Sequence, residues 1–166
     1  MTTVSIIVAA ALNNAIGRKG DIPWHISEDF KYFKRVTSGH PVIMGYMTWV
    51  SLPRKPLPKR ENIIISIFPM ENPPYDNVRV VSSLEEAISG AGDGEVFVIG
   101  GGFTYAQAMQ YADRIYITRV HKIIEDADTF FPEIPPQEWR LASEGEMLHD
   151  EESDVDFQFL IYERIR

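Results

Sequence analysis

Apolar residues fall along this chain in short dense runs, divided by polar stretches that carry glycine and proline. Val4–Ala10 is the first such run. A segment apolar on both faces predicts a strand buried from both sides. Pro41–Gly45, Asn62–Ile67, Val78–Val81, Glu95–Ile99 and Arg114–Val120 repeat that pattern. Helical stretches lie between them. Ser27 is placed to cap a helix that runs to about Ser38, where Gly39 and Pro41 stop it. Tyr46–Leu52 reads as a short helix, and Ser83 with Glu86 fits a capping box at the head of a third. A fourth follows Gly100-Gly101-Gly102 and reaches about Tyr111. Leu12–His25, with Gly17, Gly20 and Pro23, reads as one long loop, and Pro53–Lys59 as a proline-rich turn region. Near the end, Trp139–Leu148 and Val155–Ile165 predict an antiparallel hairpin, with Val155, Phe157, Phe159 and Ile161 on one face.

Strands that alternate with helices predict an α/β fold: a single domain over 1–166 with a largely parallel eight-stranded sheet, an antiparallel C-terminal strand and helices on both faces. Ligands of such sheets sit beyond the carboxyl ends of the strands, where Gly45 and Gly100–Gly102 fall.

Composition narrows the partners. The 166 residues are 45% hydrophobic and 24% charged, which is globular rather than disordered. A net charge of −8 argues against nucleic acid and anionic membranes, so an anion site must be built locally. With no cysteine there is no disulfide and no thiolate chemistry. The four histidines show no metal-ligand spacing, so no metal is expected. No signal-peptide pattern or membrane span is read at Val4–Ala11, which gives a cytoplasmic expectation.

Four features can carry chemistry, and each has a plainer reading. Asp29 shares a helix face with Phe33 and Val36. It is either a solvated first-turn acid, as Glu28 beside it suggests, or a lone carboxylate for a cationic or amidine-like ligand. Gly100–Gly102 is either a tight turn or a place where a pyrophosphate approaches the backbone; its spacing is not the G-x-G-x-x-G fingerprint. The segment Ala15–Trp24 is a surface loop or a lid with Trp24 as anchor. Arg60, with Lys55 nearby, is either solvated, the default for an isolated arginine, or a bidentate clamp for a carboxylate.

Taken in order, the motifs resemble dihydrofolate reductases of the bacterial type along almost the whole chain. They are Ala9-Ala10 with Ile16-Gly17, Pro23-Trp24, Asp29 with Phe33-Lys34, and Pro41-Val42-Ile43-Met44-Gly45 with Thr48-Trp49. Leu57-Pro58 with Arg60, Asn62-Ile63-Ile64, Ile99-Gly100-Gly101-Gly102 with Tyr105, Tyr116-Ile117-Thr118, and Asp128-Thr129 with Phe131-Pro132 follow. The resemblance implies that fold, and hydride transfer from NADPH to C6 of 7,8-dihydrofolate. It implies a catalytic group of Asp29, Thr118, Ile22 and Trp24. Ile7, Val8, Phe30, Phe33, Leu52, Leu57, Ile99 and Tyr105 would contact the substrate, with Lys55 and Arg60 at its glutamate. The nucleotide would lie against Ala9, Ile16, Gly17, Gly20, Asp21, Ile22, Gly45, Tyr46, Met47 and Thr48. Ile65, Ser66, Ile67, Ile99, Gly101, Gly102, Phe103, Thr104, Tyr105 and Gln107 would complete its site. Methotrexate or trimethoprim would inhibit, and the expected state is a monomer.

The sequence departs from the family where the nucleotide's 2′-phosphate is usually held. Tyr46 and Met47, Ile67 and Phe68, and Phe103 stand where basic or polar residues are usual. Either NADH is tolerated, or Arg18, Lys19 or Arg79 compensates. Two other classes stay open on the residues: a pteridine or pyrimidine reductase of the same fold, and a non-enzymatic folate- or dinucleotide-binding module. Asp29 with Arg60 counts against both.

Overall fold

Val4–Ala10 lies inside β1 (Thr2–Ala11), the spine of the sheet. In this computed structural model, which describes residues 1–19, 23–68, 70–71 and 73–166, β1 pairs on both sides with parallel neighbours. The chain runs on through β2 (Ala15–Gly17), α1 (Ser27–Thr37), β3 (Val42–Gly45), α2 (Tyr46–Ser51), β4 (Asn62–Ile65) and β5 (Val78–Val81). It continues through α3 (Leu84–Ser89), β6 (Gly94–Gly100), α4 (Gly102–Ala108), β7 (Arg114–Val120) and β8 (Thr129–Phe130). β9 (Trp139–Glu144), β10 (Leu148–Asp150) and β11 (Val155–Arg164) close the order. The strands lie as β10-β11-β7-β1-β6-β3-β4-β5, with β9 also on β11. The six central strands are parallel, and β11 is antiparallel to β7.

Side-chain alternation explains why helices cover both faces. Ile6, Val8, Ile43, Ile63, Val96, Val98, Ile115 and Ile117 point to one side, where Leu84 and Ala87 of α3 and Tyr105 and Ala108 of α4 pack on them. Ile7, Val42, Met44, Ile64 and Phe97 point to the other, against Phe33 and Val36 of α1 and Trp49 of α2. A third cluster joins Trp24 and Ile26 to Val120, Val155 and Phe157. No helix among the described residues is long and apolar enough to cross a membrane.

Several local expectations are corrected. The α1 cap is Ile26, not Ser27: the N–H groups of Asp29 and Phe30 donate to the Ile26 carbonyl at 3.0 and 3.2 Å, and burial of Ile26 fixes the entry. At α3, Ser83 Oγ accepts from Glu86 N at 3.1 Å as expected, but the Glu86 carboxylate reaches back to Ser82 N at 3.0 Å rather than to Ser83. The loop after β1 contains a strand, because β2 pairs with β8. The third apolar strand stops at Ile65, and the fourth helix at Ala108. The run Trp139–Leu148 splits into β9 and β10, which pair successively with β11, so β9 joins β11 off the eight-strand path of the sheet. Gly145 sits at the break, where a Cβ would lie 3.0 Å from the Phe159 carbonyl oxygen. Val155, Phe157 and Phe159 do share a face, but Leu160 and Tyr162 are covered on the other.

Candidate functional site

The carboxyl ends of β1, β3, β4 and β6 open on one edge of the sheet, and two sites meet there. The first is built by α1 and β7. Helical spacing puts Asp29 and Phe33 on the inner side of α1, and Thr118 reaches them from β7. Thr118 Oγ1 donates to Asp29 Oδ1 at 2.6 Å, and Thr118 is buried. Desolvation raises the pKa of the half-buried Asp29 carboxyl, and the Thr118 hydrogen bond pulls it partly back. No cation pairs with Asp29 among the described salt bridges. Asp29 is thus a partly buried acid oriented by one donor rather than a fully solvated first-turn acid.

An apolar cluster packs against α1 on this side of the sheet. Ile7, Phe33, Leu52, Leu57 and Ile99 belong to one cluster with Trp49 and Tyr116. Val8 does not join them; β1 alternates, so its side chain packs on the α3/α4 face. Phe30 is half exposed, its ring centroid 6.1 Å from that of His25. The Tyr105 hydroxyl lies 2.9 Å from the Ile7 carbonyl oxygen and 2.8 Å from that of Ile99, tying β1 to β6 beneath the site. Burial, and then the charge of Asp29, raises the Tyr105 pKa. Tyr32 is pushed up to about 12, chiefly by burial.

Arg60 overturns the solvated default, being only 6% exposed. Its Nε donates to Pro58 O at 2.8 Å and its Nη1 to Thr37 Oγ1 at 3.0 Å, and the guanidinium carbon lies 6.0 Å from the Phe33 ring centroid. Burial lowers its pKa. Lys55 is exposed, and its Nζ donates to Leu52 O at 3.0 Å. Trp24 is buried beside Ile26 and Val120, at the entry to α1. Gly20, Asp21 and Ile22 lie outside the described residues.

The second site is a cleft of about 790 Å³. Gly45, Tyr46, Met47, Thr48, Ile65, Ser66, Ile67, Gly101, Gly102, Phe103, Thr104 and Gln107 line it, all expected at a nucleotide. Gly102 is required by contact: a Cβ there would stand 2.7 Å from Thr129 Cγ2 and 3.9 Å from Ile16 Cδ1, which brings β2 and β8 against the start of α4. At Gly45 a Cβ would stand 3.0 Å from Thr104 Oγ1, in the space where a ligand can meet backbone. A cis peptide joins Gly100 and Gly101. Volume, bare backbone and the hydroxyls of Thr48, Ser66 and Thr104 fit a dinucleotide. Ala9 and Gly17 lie at the β1 and β2 ends of this edge.

The cleft's outer wall is apolar. Ile67 and Phe103 are 80% and 79% exposed, and Tyr46, Met47 and Phe68 stand open beside them. Arg79 donates to Gly90 O at 2.9 Å and meets Glu61 at 3.4 Å, and Arg18 pairs with Asp126 at 3.1 Å. Both cations are turned to those partners. Sequence reasoning missed the edge formed by Ser82–Glu85, which also lines the cleft. The strand-end rule, applied to β5 as it was to β3 and β6, points there.

Thr118→Val keeps the shape of the side chain and removes its donor. It is expected to raise the titration midpoint of the Asp29 carboxyl further, which carbon-detected NMR of the ligand-free protein measures. An unchanged midpoint would show that the hydrogen bond does not tune Asp29.

Comparison with known proteins agrees with these motifs. The family model for dihydrofolate reductase matches residues 3–164. A dihydrofolate reductase of Bacillus subtilis (strain 168) is 41% identical over 162 residues, covering 97% of this chain and 94% of that one. One from Haemophilus influenzae is 39% identical over 163 residues, covering 98% and 99%. One from Neisseria gonorrhoeae is 46% identical over 149 residues, covering 88% and 89%.

Proposed function

Because the chain belongs to the dihydrofolate reductase family, and thus reduces 7,8-dihydrofolate to 5,6,7,8-tetrahydrofolate with a pyridine nucleotide, we propose that Asp29 holds the pterin and that the glycine-walled cleft holds the nucleotide. The observation that carries this reading is the pair of Thr118 and Asp29, 2.6 Å apart among apolar side chains. A carboxylate presents two oxygens to the planar amidine edge formed by the pterin 2-amino group and N3. Thr118 fixes which way those oxygens face. Ile7, Phe33, Leu52, Leu57 and Ile99 wall the rings, with Phe30 at the open side. Arg60 pairs with the glutamate α-carboxylate, and Lys55 adds positive charge nearby.

When bound, the nucleotide would supply a hydride for pterin C6, with N5 gaining a proton. Asp29 sets the ring's orientation, and its negative charge raises the proton affinity of N5 so that water can deliver the proton. Ile7, Ile99 and Tyr105 keep the reacting face dry from below. Ala9, Ile16 and Tyr105 border the nicotinamide. Trp24 is a positioning residue that holds the entry to α1, and through it Asp29. The protein works as a cytoplasmic monomer, with methotrexate and trimethoprim as inhibitors.

The family's nucleotide is NADPH. The apolar wall of Tyr46, Met47, Ile67, Phe68 and Phe103 supports use of NADH as well. A charged hydrogen bond to a phosphate contributes about 1.5–3 kcal/mol, roughly one to two decades of affinity. With those contacts replaced by apolar groups, kcat/KM for NADPH should exceed that for NADH by no more than about a hundredfold. Loss of nicotinamide absorbance with dihydrofolate present measures both constants. A ratio in the thousands would sink weak discrimination, and no absorbance loss with either nucleotide would sink the whole assignment of the site.

A further inference from the structure

Within the dinucleotide cleft, and resting on that reading of it, we propose that Glu85 is a specificity-determining residue: its carboxylate accepts a hydrogen bond from the 2′-hydroxyl of the adenosine ribose and repels a phosphate at the same position. Glu85 lines the cleft at the head of α3, next to Ser82 and Ser83. It is the one side chain with a full charge at neutral pH among the described residues of that lining.

Its placement follows from packing. Leu84 and Ala87 are buried, and both belong to the core under α3. Their burial sets the rotation of the helix. Ser83 Oγ fixes the first turn by accepting from Glu86 N at 3.1 Å. Glu85 is left on the exposed side, at the cleft. Tyr111 then pins the carboxylate, donating its hydroxyl to Oε1 at 2.8 Å. That bond also holds the Glu85 carboxyl below the usual carboxylate range, so it stays ionised at neutral pH. A pinned acceptor loses less side-chain freedom when a hydroxyl binds it.

The surroundings select in the same direction. A ribose hydroxyl has a proton to donate, whereas a 2′-phosphate is an acceptor carrying negative charge. Beside a carboxylate the first gains a charge-assisted hydrogen bond and the second meets like charge. Tyr46, Met47, Ile67, Phe68 and Phe103 offer flat or apolar surface to an adenine ring and no positive charge to offset the repulsion. Dinucleotide enzymes of another fold use an acidic side chain on the ribose 2′-hydroxyl for the same discrimination. Here the carboxylate comes from a different element, after the fifth strand.

Calorimetric titration of the folate-free protein with NADH and with NADPH tests the proposal by binding, without turnover. The wild-type protein should bind the two within about tenfold of each other. Glu85→Gln keeps the shape and removes the charge; it should shift the ratio of dissociation constants about tenfold toward NADPH. Tyr111→Phe should weaken NADH and change NADPH little, because the charge remains while its anchor is lost. Thermal unfolding of each variant confirms the fold, which an exposed residue should not disturb. If both nucleotides bind and Glu85→Gln leaves their ratio unchanged, Glu85 does not discriminate, and the reading of the cleft stands. A wild-type preference for NADPH in the thousands overturns both Glu85 and weak discrimination. Binding of neither nucleotide overturns the dinucleotide reading itself.

Discussion

Asp29→Asn is expected to slow hydride transfer to dihydrofolate by about a hundredfold or more near neutral pH, and to raise the melting temperature of the ligand-free protein there. The two effects share one cause. Desolvation lifts the Asp29 pKa in the folded state, and the Thr118 hydrogen bond offsets only part of the lift. A folded pKa above the unfolded value means that the folded state binds more protons between the two values. Stability from this group is therefore fully present below the unfolded pKa of 3.8 and is lost as pH rises through the folded pKa. As pH rises through the folded pKa, the ligand-free protein takes on a half-buried carboxylate with one donor and, among the described residues, no paired cation. Asparagine has the same shape, still accepts from Thr118, and carries no charge to desolvate. What it lacks is the negative charge that pairs with the amidine edge and raises the proton affinity of N5. Stopped-flow measurement of nucleotide oxidation and thermal unfolding read the two effects separately. Nucleotide affinity should stay nearly unchanged, since the cleft lies on other elements. Near-normal turnover in the variant would remove Asp29 from the mechanism, and an unchanged melting temperature would show that its desolvation has no stability cost.

What could be read in the sequence depended on how local the cause was. The central strands β1, β3, β4 and β6 appear in the pattern because each is dominated by apolar residues, and a segment covered on both faces cannot disguise its composition. β5 and β7 match the expected bounds. β2 and β8 were not visible: each is two or three residues long and exists only because Ala15–Gly17 and Thr129–Phe130 meet across the fold. The cap of α1 is hidden in the sequence for a similar reason. Ser27 looks like a cap by type, but burial of Ile26 beside Trp24 decides where the first turn begins. At the site, sequence spacing put Asp29 on the right face of its helix but could not show its desolvation, which depends on Thr118, distant in the chain. Glu85 was missed because no local pattern marks it; the cleft must close around β4, α3 and α4 before its carboxylate has a neighbour. At Arg60 the residues alone leave a solvated side chain and a carboxylate clamp both open, because its burial depends on Thr37 and Pro58 offering acceptors inside the fold.

That burial makes Arg60 the source of the second large effect. Arg60→Leu is expected to weaken methotrexate, which carries a glutamate, about a hundredfold, while leaving trimethoprim, which has no carboxylate, almost unchanged. The guanidinium is held by two side-chain bonds of 2.8 and 3.0 Å and stacked near Phe33, so its fork is fixed before a ligand arrives. A preorganised cation loses little freedom on pairing, and its partial desolvation strengthens the attraction. The fold should tolerate the change. The Thr37 hydroxyl still donates to Phe33 O at 2.8 Å after its donor is gone, leaving the Pro58 carbonyl as the main group to lose a partner. Arg60→Lys should recover only part of the affinity, because a single ammonium cannot hold Thr37 and Pro58 and also present two parallel N–H groups to a carboxylate. Titration of both inhibitors into both variants settles the matter. Equal losses for methotrexate and trimethoprim would show that Arg60 acts by shaping the pocket, whereas a loss confined to methotrexate fixes it on the carboxylate.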